Sequence, residues 1–89
     1  MDGHKQRQAL TAAERAIEHL VAGKPDEAER ASQRAAELDQ IGIFSRLVAA
    51  VAGVATDLRS GVTVADEHLV ALRDAVGVGP LSELVDQLR

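Results

Sequence analysis

The chain has 89 residues, enough for one domain with a single hydrophobic core but not for two. Its composition, with 16 alanines, one aromatic side chain and no cysteine, favours helices and excludes disulfides and thiolate chemistry. The net charge of −4 repels a phosphate backbone, which disfavours nucleic-acid binding.

Glycine and proline divide the chain into five predicted helices, of which the first two form a hairpin. Residues 1–5 are expected to be disordered, and apolar side chains at helical spacing predict a first helix over about 6–22. Gly23 ends this helix, and Pro25 occupies the first turn of the next, where proline is best tolerated. The second helix is predicted over about 25–40, with an inner face of small residues that allows close approach of its neighbour.

The third predicted helix, about 43–59, is apolar almost all round, which is typical of a buried helix. It is interpreted as the central helix of the chain, covered on one flank by the first hairpin and on the other by the C-terminal pair of helices, with the seam of a homodimer as the competing interpretation. Thr63 is predicted to cap a fourth helix over 64–76, and Pro80 opens a short last one. The sequence therefore predicts an all-α fold in a single domain, 1–89: a compact bundle of about five helices, arranged as two helix hairpins plus a short C-terminal helix.

Part of the first hairpin carries a pattern known from helical repeats. The pattern is a glycine-containing turn with small residues at set positions in both helices: Ala16, the segment 23–28, Ala35 and the segment 37–39. Over residues 9–40 it resembles one tetratricopeptide (TPR) unit, although no second copy recurs at a period near 34 residues. The resemblance implies a loosely TPR-like hairpin, in a class of proteins that bind peptides or proteins on a concave helical surface.

No group of residues has the spacing of a catalytic or metal site. Glu14 and Glu18 share a helix face, but His19 is adjacent to the second and points about 100° away, whereas di-metal bundles use Glu-x-x-His. The glycine-rich segment 77–82 follows a helix rather than a strand, and Pro80 removes a backbone donor, so it predicts a turn and not a phosphate loop. We expect no enzymatic activity, no metal and no cofactor.

Protein–protein association is the predicted function, either as a homodimer or as an accessory subunit of a heteromeric partner. The candidate interface residues come from the third and last helices, with monomer core as the open alternative: Leu47, Val51, Val54, Leu58, Leu84 and Leu88. Other apolar side chains are not needed by the helix stripes and are expected to contribute to an exposed patch: Ile41, Ile43, Val62, Val64, Val70 and Val78.

A ligand-responsive regulator or enzyme accessory protein is the alternative function, with His68 and Arg73 as its ligand site. His68 also fits a simpler role, covering Leu72 at the edge of the fourth helix's apolar stripe. A helix-turn-helix interpretation of residues 46–76 is disfavoured, because its recognition helix would carry three acidic groups against one arginine.

The sequence also predicts where the protein acts. Its first residues are charged, and the longest apolar run, 47–55, is far shorter than the roughly 20 residues that cross a bilayer. We expect a cytoplasmic protein without membrane contact. The excess of arginine over lysine, eight to two, together with the alanine content is typical of a GC-rich bacterial coding sequence.

Overall fold

The computed structural model describes residues 2–77 and 79–88, and these form five α-helices. No strand is present in that part of the chain, which confirms the predicted all-α bundle. The helices follow in chain order: α1 (Asp2–Val21), α2 (Pro25–Leu38), α3 (Leu47–Ser60), α4 (Asp66–Val76) and α5 (Pro80–Asp86).

Helix α1 begins earlier than the sequence predicts. It starts at Asp2 rather than near Gln6, so residues 2–5, expected to be disordered, are helical. The first turns are held from outside the helix, because the Gln6 amide nitrogen donates to Asp39 Oδ1 at 3.0 Å. The Gln6 oxygen in turn accepts the backbone N–H of Gln40 at 3.0 Å. These bonds attach the start of α1 to the end of α2, a contact that no local pattern could reveal.

Small side chains hold α1 against α2. The described buried side chains of α2 are all small, and four of the six in α1 are alanines, which allows the backbones to approach closely while each side chain buries little area. Ser32 is the one buried polar residue among those described, and its hydroxyl donates to the Glu29 carbonyl oxygen at 2.8 Å. The seam therefore contains no unsatisfied hydroxyl. Its residues are Ala9, Ala12, Ala13 and Ala16 of α1 and Ala28, Ser32 and Ala35 of α2.

The connection from α2 to α3 is longer than predicted, because a carboxylate binds its backbone. Asp39 Oδ1 accepts the N–H groups of Ile41 and Gly42 at 3.3 and 3.0 Å, and Oδ2 accepts that of Phe44 at 2.7 Å. A side chain that binds backbone donors in this way competes with helix formation. Helix α3 consequently begins at Leu47, four residues after the predicted start.

Helix α3 is central, as predicted, and packs against α1, α2 and α4. The expectation that the C-terminal pair together covers its far side holds only for α4, because α5 returns to α1 and α4 instead. The predicted cap of α4 is wrong: Ala65, not Thr63, occupies the N-cap position, and no side chain caps it. The backbone N–H of Ala65 is bound instead by Asp57 Oδ2 at 3.0 Å.

Candidate functional site

The predicted interface residues divide into two groups. Leu47, Val51 and Val54 are fully buried within the single chain, so the monomer-core interpretation applies to them and they do not form a docking surface. The reason is that α1, α2 and α4 together already cover the apolar face of α3. The remaining three are partly buried and pack against the same core: Leu58, Leu84 and Leu88.

The exposed aliphatic side chains lie elsewhere, and two of them border one groove. Ile43 is 53% exposed and Leu10 is 43% exposed, and both line a depression of about 440 Å³ between α1, the α2–α3 connection and the α4–α5 turn. Ile41, two residues from Ile43, is 70% exposed. We call this the apolar groove; its lining is Leu10, Ile43, Phe44, Asp74, Ala75, Val76, Gly77, Pro80 and Leu81.

The other apolar residues of the expected patch are placed differently. Val62 and Val70 are exposed and do not line the apolar groove, and Val64 is partly buried against the core. Val78 lies outside the described residues. The expected patch is therefore carried by the α2–α3 connection, with Leu10 of α1 as a member that the sequence did not single out.

His68, one of the two residues of the alternative ligand site, is paired with a carboxylate. His68 Nδ1 lies 2.6 Å from Asp57 Oδ2, so the imidazole of α4 is hydrogen-bonded to a carboxylate of α3. The bond from His68 and the backbone N–H of Ala65 outweigh burial and lower the pKa of Asp57. Gly53 leaves room for the His68 ring, because a Cβ there would lie 3.1 Å from His68 Cδ2, a tight contact.

His68 borders a groove of about 360 Å³ between α3 and α4, but Arg73 does not line it. The Arg73 guanidinium pairs instead with Asp86 of α5. The charged groups that accompany His68 in the groove are Arg46 and Asp74. The two residues of the predicted ligand site are thus not brought together, and the histidine is paired with a carboxylate that the sequence analysis did not consider.

The Asp57–His68 pair can orient an imidazole and hold a proton, but it is not accompanied by a nucleophile. No serine or threonine lines its groove in the described part of the chain. Residues 2–77 and 79–88 also contain no group of three or more side chains suited to a metal ion. His19 pairs with Glu27, its Nδ1 lying 3.4 Å from a carboxylate oxygen, and not with Glu14 or Glu18.

A third surface was not predicted from the sequence. Three arginines and a histidine line a groove of about 490 Å³ along the outside of the α1–α2 hairpin, above a floor of Ala12 and Leu38. Their spacing along α1 was visible in the sequence, but the contribution of α2 requires the hairpin. We call it the basic groove; its lining is His4, Arg7, Gln8, Thr11, Ala12, Arg15, Arg34 and Leu38.

The basic groove is locally opposite in sign to the chain as a whole. Arg34 has one carboxylate neighbour, Glu37, at 3.9 Å, while Arg7 and Arg15 have none at salt-bridge distance among the residues described. By contrast, Arg59 pairs with two acidic residues of α2. Positive charge is therefore concentrated in a groove of a protein whose net charge is −4.

Comparisons of the chain with protein-family models, with curated proteins and with solved structures found no match. None of the helices described here is long and apolar enough to pass through a membrane. Function is therefore inferred from the surfaces of this chain alone.

Proposed function

We propose that this chain is a non-catalytic protein–protein interaction module that self-associates through its apolar groove. The observation that carries the proposal is the exposure of Leu10 and Ile43 at the border of one depression. Contiguous aliphatic surface of this kind on a small domain often marks a partner surface. The TPR-like pattern of the first hairpin and the absence of a nucleophile beside His68 are consistent with a binding role.

A second copy of the chain is the partner that this surface fits best. A two-fold interface uses the same patch on both subunits and must be self-complementary. The apolar groove provides both halves of such a contact, because Ile41 and Ile43 project beside a concavity that can receive them. Tight heteromeric interfaces are usually anchored by Trp or Tyr, and the sequence contains neither. A chain of this size also gains stability from association.

Sedimentation equilibrium at micromolar concentration tests self-association. We expect an average mass that rises above the 9.4 kDa of one chain as concentration increases. Ile43→Lys places a charge in the contact and removes about 1–2 kcal/mol of apolar burial per subunit. Because a two-fold interface contains the change twice, the total of about 2–4 kcal/mol weakens dimerisation by about thirtyfold or more. Val62→Lys is the matched control, since Val62 is equally exposed and lies outside the groove.

Two results would contradict the proposal. One is a wild-type chain that stays at the mass of a single copy throughout, and the other is equal weakening by Ile43→Lys and Val62→Lys. A wild-type monomer that binds a different protein in an Ile43-dependent manner would instead identify the chain as a heteromeric accessory subunit. We place this activity in the cytoplasm, a reducing compartment with which a chain without cysteine is compatible.

A ligand-responsive regulator is the second candidate function, and the Asp57–His68 pair is the observation that favours it. A carboxylate-oriented imidazole beside Arg46 could bind a small anion in the groove between α3 and α4. The His68 ring resonances in an NMR titration with inorganic phosphate test this. Saturable shifts in the wild-type chain that are lost in Arg46→Ala would support a ligand site, and unchanged resonances would exclude phosphate.

A further inference from the structure

We propose that the basic groove binds a short acidic segment of another protein in an extended conformation. This inference goes beyond self-association, because it concerns the outer face of the α1–α2 hairpin and a partner of opposite charge. Neither Arg7 nor Arg15 is neutralised by a carboxylate in the described structure. An acidic partner would supply the negative charges that these arginines lack, although the chain as a whole has more acidic than basic side chains.

The length of the groove sets the length of the segment. From His4 to Arg15 the groove follows eleven residues of α1, which at the rise of an α-helix is about 16 Å. An extended peptide advances about 3.3 Å per residue, so about five residues fill the groove. A helical segment would need about eleven residues to cover the same length, so the extended form fills the groove with the shorter segment.

The positions of the arginines set the spacing of the acidic groups. Arg7 and Arg15 are eight residues apart on α1, which corresponds to about 12 Å along the helix. In an extended chain, carboxylates at the first and fifth positions lie about 13 Å apart and on the same side. The residue midway between them also faces the groove, above Ala12 and Leu38. The expected motif therefore has acidic residues at its first and fifth positions and an aliphatic residue at its third.

The observations favour a peptide over a nucleic acid. The chain's net charge of −4 opposes the close approach of a continuous polyanion. No Phe, Tyr or Trp lines the groove in the described residues, so the large aromatic side chains on which bases stack best are missing there. The apolar floor instead suits an aliphatic side chain placed between two carboxylates.

Fluorescence anisotropy with the full chain tests the proposal. The probe is a fluorescein-labelled peptide with glutamate at the first and fifth positions of a five-residue core, leucine at the third and serine between them. The comparison peptide has glutamine in place of both glutamates. We expect weak but saturable binding of the acidic peptide near the millimolar range, weaker still at high salt, and at least about fivefold weaker binding of the glutamine peptide.

Matched charge reversals assign the binding to the groove. Arg15→Glu is expected to weaken the acidic peptide by about fivefold or more, because it replaces attraction with repulsion. Lys24→Glu makes the same change of sign at an exposed residue of the α1–α2 turn, outside the groove and nine residues after Arg15, and is expected to alter affinity by less than about twofold. Circular dichroism checks that both variants are folded.

Four results would overturn the proposal: no binding of the acidic peptide, equal binding of the glutamine peptide, equal effects of the two charge reversals, and tighter binding of single-stranded DNA of equal charge. Loss of self-association in Arg15→Glu without peptide binding would assign the groove to a second copy and would also overturn it. Failure here is distinguishable from failure of the self-association proposal, because Ile43→Lys leaves the basic groove intact and is expected to bind the peptide normally.

Discussion

The carboxylate of Asp39 joins three parts of the fold, so its removal should destabilise the whole chain. It accepts hydrogen bonds from the Gln6 side chain and from the N–H groups of Ile41, Gly42 and Phe44. In Asp39→Ala the start of α1 loses its attachment to the end of α2. The connection between α2 and α3 also loses the carboxylate that binds its backbone N–H groups.

The size of the effect follows from the four hydrogen bonds. Each contributes about 0.5–1.5 kcal/mol net, and the two exposed bonds, to Ile41 and Gly42, belong at the lower end. Because the four share one side chain and are not additive, we expect a total of roughly 2–3 kcal/mol. A domain of this length is stable by about 5–13 kcal/mol, so the loss is a large fraction of the whole.

Urea denaturation followed by far-UV circular dichroism measures this loss. Asp39→Asn keeps one carbonyl oxygen as an acceptor and should fall between wild type and Asp39→Ala. Asp74→Ala is the control, because Asp74 is exposed and makes no ion pair within the described part of the chain. A loss in Asp39→Ala below about 0.5 kcal/mol, within the range of ordinary surface substitutions, would refute the assigned role.

The same residue predicts a pH dependence. Burial raises the pKa of Asp39, but the hydrogen bonds from Gln6, Phe44, Ile41 and Gly42 together outweigh it and leave the pKa lowered. The carboxylate therefore stabilises the fold fully above its unfolded pKa, about 3.9, and the contribution disappears as pH falls through the lower folded value. The gap between wild type and Asp39→Ala should close in that acidic range, and a gap that stays constant would contradict this origin.

Two further predictions concern the core and the α3–α4 contact. Leu47→Ala removes a fully buried side chain and should cost about 2–5 kcal/mol in urea denaturation, whereas Val62→Ala, at an exposed position outside the apolar groove, should cost less than about 1 kcal/mol. Asp57→Ala should lower the thermal midpoint at neutral pH, with a deficit that shrinks as pH falls through the depressed pKa of Asp57. A deficit unchanged by acid would show that its bonds to His68 and Ala65 do not depend on the charge.

The helix starts that depend on a proline could be predicted from the sequence. The helix starts that depend on which side chain binds the free backbone N–H groups could not. Helices α2 and α5 begin at Pro25 and Pro80, because proline fixes the backbone angle suited to a first helical turn. The start of α3 depends on which carboxylate binds the free N–H groups before it. Aspartate often binds backbone N–H groups a few residues on, but the sequence alone does not show that Asp39 does so and that Thr63 caps no helix.

The candidate surfaces were predicted less completely, for a related reason. Helical spacing shows that Val51 must be buried, but it does not tell whether the covering helix belongs to the same chain. Exposure of Ile41 and Ile43 was expected, because no helical stripe needed them. The pairing of His68 with Asp57 depends on the crossing of α3 and α4, and the basic groove depends on the approach of Arg34 to α1.

The alanine seam between α1 and α2 sets the spacing of the two helices in the hairpin. The small side chains of this interface have few or no rotamers to exchange, so the spacing of the two backbones is expected to change little when a partner binds. For the proposed acidic segment, affinity should then depend on how well the spacing of its charges matches the separation of the helix positions that carry Arg15 and Arg34. A segment with the same charges at a different spacing is expected to bind more weakly.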